Sequence, residues 1–113
     1  MFVRACHPPS VNAEAVRNAA EGHVTAIAER RIDDAASYVV EELRAESRAN
    51  LLALADTVTH AEVREVAIDG DEAIVLIRLR TSDPVQPEIS LKALWWEIDG
   101  RPVLVQGQQV EPN

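Results

Sequence analysis

The stretch "LKALWWEIDGRPVLV", residues 91–105, decides the fold. Asp99-Gly100 tolerates the positive φ angles of a tight hairpin, and apolar, β-branched and aromatic residues flank it on both sides. A two-residue turn there sets Trp96 opposite Val103, Trp95 opposite Leu104, Leu94 opposite Val105 and Ala93 opposite Gln106. Neighbouring side chains of a strand point to opposite faces, so the tandem tryptophans serve two different surfaces. Trp95 shares a face with Ile89, Leu91, Ala93 and Leu104, an all-apolar set suited to a helix-covered core. Trp96 shares its face with Leu94, Ile98, Val103 and Val105 but also with Ser90 and Lys92, the mixture expected of an outer sheet surface. A slip of one residue would exchange the two roles.

The same plan occurs upstream. "VTHAEVREVAIDGDEAIVLIRLRTS", residues 58–82, reads as strand, turn at Asp69-Gly70, strand, so Ile-Asp-Gly recurs 30 residues apart at the tips of two hairpins. In the first of these strands Ala61 and Val63 share one parity and Val66 and Ile68 the other. A β-bulge near Arg64-Glu65 reconciles them; the alternative is a strand apolar on both faces. In the second, Ala73, Val75, Ile77 and Leu79 face one way, and Ile74, Leu76, Arg78 and Arg80 the other. Pro84 and Pro87 mark a longer loop before the third strand.

Before residue 57 the period is close to four. Val16, Ala20, His23 and Ile27 recur at steps of four, three and four, which predicts a helix over residues 11 to about 31, with Ser10 or Asn12 as N-cap. Gly22 weakens that helix by about 1 kcal/mol relative to alanine. Ile32-Asp33-Asp34 interrupts the pattern, and Asp33 or Asp34 is expected to cap a second helical segment. Ala36, Val39, Leu43, Ser47, Leu51 and Leu54 then form a stripe, predicting helix over residues 33–55, kinked or split near Val40. Helices followed by four antiparallel strands define an α+β chain. Residues 1–10 are expected to form an arm, 11–110 a single domain and 111–113 a tail.

Composition narrows the partners. The 113 residues carry a net charge of −8, which disfavours nucleic-acid backbones and anionic membranes. Cys6, the one cysteine, cannot form an internal disulfide. No apolar run approaches the ~20 residues a bilayer requires, and "MFVRACHPPS" is too weakly apolar for a signal peptide, so cytoplasm is the expected compartment. Cys6-His7 offers two metal ligands at most, and neither metal nor cofactor is expected.

This order of elements resembles the nuclear transport factor 2-like superfamily, whose members include ketosteroid isomerases and polyketide-cyclase-like proteins. "HVTAIAERRIDDAASYVVEEL", residues 23–43, is similar to that superfamily's junction between its first two helices, with Arg31-Ile32-Asp33 in place of the usual polar break. "ALWWEIDGRPVLVQGQQV", residues 93–110, is similar to its closing hairpin. The resemblance covers residues 11–110. It implies a cone-shaped α+β fold, a cystatin-like roll in which N-terminal helices pack on a bent four-stranded antiparallel sheet. It also implies a cavity beneath the helices and, often, a homodimer packed sheet to sheet. A strand usual between the second and third helices is not evident. No reaction is implied, because such folds serve enzymes and non-enzymes alike.

Isomerases and epoxide hydrolases of this kind place carboxylates in the cavity, yet residues 73–82, 89–96 and 103–110 contain no Asp or Glu. No catalytic Asp of the ketosteroid isomerases finds a match. The candidates for an acid or base are His23, on the helical stripe, and Tyr38, after the helix junction; both also read as packing residues. The expected pocket residues are His23, Tyr38, Trp95, Gln106 and Gln108, the two glutamines lying on the Trp95 face. The outer face, with Leu76, Arg78, Leu94, Trp96, Val103 and Val105, is too apolar to leave in water and is expected to meet a second subunit. Three readings follow: a non-catalytic dimer with a cavity for a small apolar molecule; an isomerase, cyclase or hydrolase using His23 or Tyr38; and a protein-interaction module using the outer sheet face. The first is favoured, since the strands supply apolar lining without an internal acid/base pair.

Overall fold

The computed structural model describes residues 12–110. The expected arm, Ser10 as a cap, Cys6-His7 and the tail 111–113 lie outside the described residues. Helix α1 spans Ala13–Ala28, and Asn12 caps it: its side-chain oxygen accepts from the backbone N–H groups of Glu14 and Ala15 at 2.9 and 3.1 Å. The helix stops short of residue 31. Arg30 adopts φ 61°, Arg30 N–H bonds back to Ile27 O and Arg31 N–H to Ala26 O, at 3.1 and 2.8 Å, a Schellman closure. Glycine is the usual residue at the left-handed position, so an arginine there carries no stop signal a reader could use.

Helix α2 is only Ile32–Ala36. Asp33 and Asp34 sit in its first turn and do not cap it. Their carboxylates hold arginines instead, Asp34 accepting from Arg31 Nη1 and Asp33 from Arg48 Nε, each at 2.7 Å. The expected long helix is split, as the stripe suggested near Val40. Residues 37–40 run past the last strand of the chain, where Val40 N–H bonds to Leu104 O at 2.8 Å and Leu104 N–H to Tyr38 O at 2.9 Å. Val39 and Val40 are β-branched and favour this extended path. No strand is formed between α2 and the next helix; the described chain makes one parallel bridge there, Val39 to Leu104. A 3₁₀ turn, Glu41–Leu43, then leads into α3, Arg44–Ala55.

The strands are β1 (Val58–Asp69), β2 (Glu72–Thr81), β3 (Glu88–Ile98) and β4 (Arg101–Val110), forming one antiparallel sheet in the order β1-β2-β3-β4. In the second hairpin Asp99 and Gly100 both have positive φ, 53° and 78°. The first hairpin turns one residue later than expected: Asp69 pairs with Glu72, so the turn residues are Gly70-Asp71, with Gly70 at φ 63°. The β1 bulge falls between Val63 and Glu65, as the change of parity required.

A further bulge went unforeseen. Trp96 pairs with Val103 and Trp95 with Leu104, but Leu94 then pairs with Gln106 and Ala93 with Gly107, leaving Val105 as the extra residue. The expected pairs Leu94–Val105 and Ala93–Gln106 do not form. Gln106 and Gln108 consequently share the face of Leu94 and Lys92, while Gly107 and Gln109 take the Trp95 face.

The helices cover one face of the sheet. Val16, Ala20, Val24 and Ile27 of α1 meet Ala73, Val75, Ile77 and Leu79 of β2, and Trp95 is buried completely among them. Trp96 lies on the other face, 43% exposed, as its mixed neighbours foretold. No helix among the described residues is long and apolar enough to cross a membrane.

Candidate ligand-binding site

The apolar stripe of α1 turns His23 inward, 5% exposed, against two aromatic rings from distant segments. Tyr38 comes from the stretch after α2 and Trp95 from β3. Their rings meet edge to face, with centroids 5.8 Å apart for His23–Tyr38, 6.1 Å for His23–Trp95 and 6.3 Å for Tyr38–Trp95. Such contacts favour a fixed arrangement beyond simple burial. Gly22 makes room for it: a Cβ there would collide with Tyr38 Oη. The glycine that weakens α1 is therefore a packing requirement.

Neither ring nitrogen of His23 has a hydrogen-bond partner among the described residues, nor has Trp95 Nε1. Burial without a partner disfavours the charged imidazole and lowers the His23 pKa to about 4, so the ring is neutral at pH 7. Orphaned polar atoms of this kind are uncommon in folded proteins and call for a reason.

His23 lines a pocket of about 360 Å³ between α3 and the sheet. Its floor is apolar: Ile27, Ile77, Leu91, Ala93 and Leu104. Leu51 and Leu54 form the helical wall, with Glu46, Ser47 and Asn50 on the same helix, and residues 106–109 close the strand side. Gly107 sits on the inner face beside Ala93, and a Cβ added to it would meet nothing within 4 Å. This small pair leaves open the space that larger side chains would fill.

The site therefore brings together some of the expected residues and not others. His23 lines the pocket; Trp95 does not, and packs instead edge to face on the His23 ring. Tyr38 touches His23 but borders a separate polar cleft with Thr25, Arg31 and Asp34. Gln106 and Gln108 border the pocket, yet by register their side chains belong to the outer face, where with Ile74, Lys92 and Leu94 they frame a second hollow of about 180 Å³. Glu46, Asn50 and Gly107 were not singled out by the sequence. A hint was present in Ser47, a polar residue within an apolar stripe, whose helical neighbours Glu46 and Asn50 share the pocket rim. Among the described residues Glu46 is the one carboxylate on the pocket lining, and it is exposed. Among the described residues no three His, Cys, Asp or Glu side chains come together as a metal site.

On the outer face Ile74, Leu76 and Leu94 are half-buried around exposed Trp96. Trp96 Nε1 donates across the sheet to Glu72 Oε2 at 2.9 Å. Arg78 is already engaged within the chain, its Nε donating to Glu62 Oε1 at 2.8 Å, and this guanidinium holds the Glu62 carboxyl below its usual pKa. Val103, expected at an interface, is 8% exposed within the single chain, and Val105 is the half-buried bulge residue.

Compared with protein-family models and with curated proteins, the sequence matches none. Solved structures do match the fold. A protein of unknown function with a cystatin-like fold from Nostoc punctiforme superposes with TM-score 0.69 at 14% identity, covering 89% of this chain and 93% of that one. A DUF4783 family protein from Bacteroides ovatus gives TM-score 0.66 at 12% identity, over 81% of this chain and 94% of that one. A de novo designed protein of the nuclear transport factor 2 fold gives 0.62 at 15%, over 92% and 90%. The chain thus has an α+β architecture of the cystatin-like, nuclear transport factor 2-like kind. Identities this low speak of the fold alone.

Proposed function

We propose that this chain is a small-molecule-binding domain of the nuclear transport factor 2-like superfamily, non-catalytic, whose pocket between α3 and the sheet takes a compact and mainly apolar ligand. The observation that carries this reading is the pocket itself, about 360 Å³ with an apolar floor and the neutral His23 ring at its edge. A pocket of this size, apolar with a few polar groups, fits the general character of ligand sites. An imidazole of pKa about 4 is a poor base at pH 7, and among the described residues no carboxylate bonds to either nitrogen to orient it, which supports binding over catalysis. Native mass spectrometry on gently purified protein, with a denatured control, tests the reading. A reproducible small adduct in the native spectrum, absent from a Gly107→Leu variant, is the expected result. An adduct retained by that variant would place the ligand elsewhere.

The same chain is proposed to pair with a second copy through its outer sheet face. Support comes from Trp96, Ile98 and the half-buried Ile74, Leu76 and Leu94, which together leave an apolar strip uncovered by any element of the described chain. The native spectrum reads this too. A monomer at micromolar concentration would count against pairing and favour a different protein partner for that face.

A further inference from the structure

We propose that β4 takes an extended peptide as an added strand, the peptide backbone lying on the outer edge of β4 and one apolar side chain filling the pocket. This rests on the reading of the pocket as a binding site and names the class of partner that supplies the compact apolar group. β4 ends the sheet, so half of its backbone groups face away from β3. Leu104 shows which half. It donates to Tyr38 O and accepts from Val40 N–H, so it points outward. Alternation along the paired register makes Gly107, opposite Ala93, and Gln109, opposite Leu91, point outward as well. Among the described residues no backbone hydrogen bond reaches either of them from that side.

The two edges of the sheet differ. β1 carries the charged Glu62, Arg64 and Glu65 and shifts its register twice. β4 has no charged side chain from Pro102 to Val110, and residues 106–110 are exposed. A neutral, open edge is a template for another strand. The chain itself uses the first part of it, where residues 38–40 lie alongside Leu104. The pocket continues along the same edge. Side chains of a strand alternate between faces, so a hollow confined to one face would meet every second residue. This one is lined by four residues in a row, Gln106 to Gln109, and so opens past the edge of the sheet. α3 packs mainly on α2, and its Glu46, Ser47 and Asn50 form the opposite bank. A Cβ on Gly107 would meet nothing within 4 Å, which leaves an inward side chain of an added strand a path over Gly107 to Ala93. A small hydrocarbon would fill the floor and leave the outward groups of Gly107 and Gln109 unmatched; an extended peptide matches both, with backbone bonds for affinity and the pocket for selectivity. The net charge of −8 and the exposed Glu46 on the lining favour basic residues beside the apolar anchor.

The probe is acetyl-Lys-Thr-Leu-Thr-Lys-amide, titrated into the full chain and followed by the amide NMR signals of Ala93, Gly107 and Gln109. In the free chain the Gly107 and Gln109 amides are expected to exchange quickly with solvent, and bound peptide is expected to protect them. Alanine in place of the peptide's leucine should weaken binding at least roughly tenfold. Methylating the leucine nitrogen or both threonine nitrogens blocks opposite edges of the peptide. One of these two peptides is expected to bind roughly tenfold or more weakly, the effect of a lost hydrogen bond, and the other to bind as before. Equal effects of the two methylations, or no effect of alanine, would overturn strand addition. So would slow Gly107 and Gln109 exchange in the free chain. Protection that rises with protein concentration would assign the edge to a second copy, and protection independent of concentration would assign it to the chain itself. Cyclohexane tests the pocket separately. Should cyclohexane shift Ala93, lose that effect in Gly107→Leu, and the peptide not bind, the pocket reading stands and the peptide proposal falls. Should neither bind, both fall.

Discussion

Acidification from pH 7 to pH 5 is expected to destabilise this protein by about 2 kcal/mol through His23 alone, and His23→Phe is expected to erase that part. The cause is the burial that lowers the ring's pKa from its ordinary 6.5 to about 4. In the unfolded chain the imidazole titrates near the ordinary value. Between these two values the unfolded chain therefore binds more protons than the folded one. The stability tied to a neutral His23 is complete above about 6.5 and is lost as pH falls towards 4, a total of about 3 kcal/mol. At pH 5 most of it is gone, because the unfolded ring is almost wholly protonated and the folded ring is still neutral. Tyr38 and Trp95 face the ring, and neither supplies a charge that would hold the proton. Glu62, whose carboxyl Arg78 holds below its usual range, adds a loss of stability on acidification that does not involve His23. The quantity to read is therefore the difference between wild type and His23→Phe. Urea unfolding followed by far-ultraviolet circular dichroism at pH 7, 6 and 5 measures it. The difference should shift in favour of the variant by about 2 kcal/mol over that range. A difference independent of pH would refute the reasoning, for it would mean that the folded chain accommodates a protonated His23.

Other changes probe separate links. Gly22→Ala gains about 1 kcal/mol of helix propensity, yet its Cβ collides with Tyr38; a lower melting temperature is expected, and a higher one would show that Tyr38 moves aside freely. Asn12→Ala removes the side chain that accepts from two backbone N–H groups of α1 and should cost about 1 kcal/mol in urea unfolding. Trp96→Glu should leave the circular dichroism spectrum folded and halve the mass seen by light scattering; an unchanged dimer mass would remove the outer face from the interface. Arg78→Met is expected to bring the Glu62 pKa back towards its ordinary range, readable by carboxyl-carbon NMR, with little change in the urea midpoint at pH 7, since the pair is open to solvent.

Much of the fold was legible in local chemistry. Asp99-Gly100 announced a turn whose positive φ angles few other dipeptides accept, and from that turn the pairing of Trp95 with Leu104 and of Trp96 with Val103 followed by counting. Period-two alternation then set Trp95 inward and Trp96 outward, and the change of parity after Val63 exposed the β1 bulge. These features depend on residues a few positions apart, and so a sequence determines them by itself.

The site depended on more distant partners. Val103, Leu104 and Val105 are all apolar, and nothing in their order reveals that Val105 bulges, yet that one residue exchanges the faces of the following five and brings Gly107 into the pocket. Residues 38–40 could have continued a helix; the edge of β4, more than sixty positions away, offered the hydrogen bonds that drew them out. The need for glycine at position 22 was invisible until Tyr38 packed across it. His23 could be placed on an apolar stripe from its spacing, but its lack of a partner is a property of everything around it. Local propensity and periodicity thus determined the elements and their inward faces, while the pocket arose only where separate elements met, because bulges, edge pairing and burial belong to no single segment.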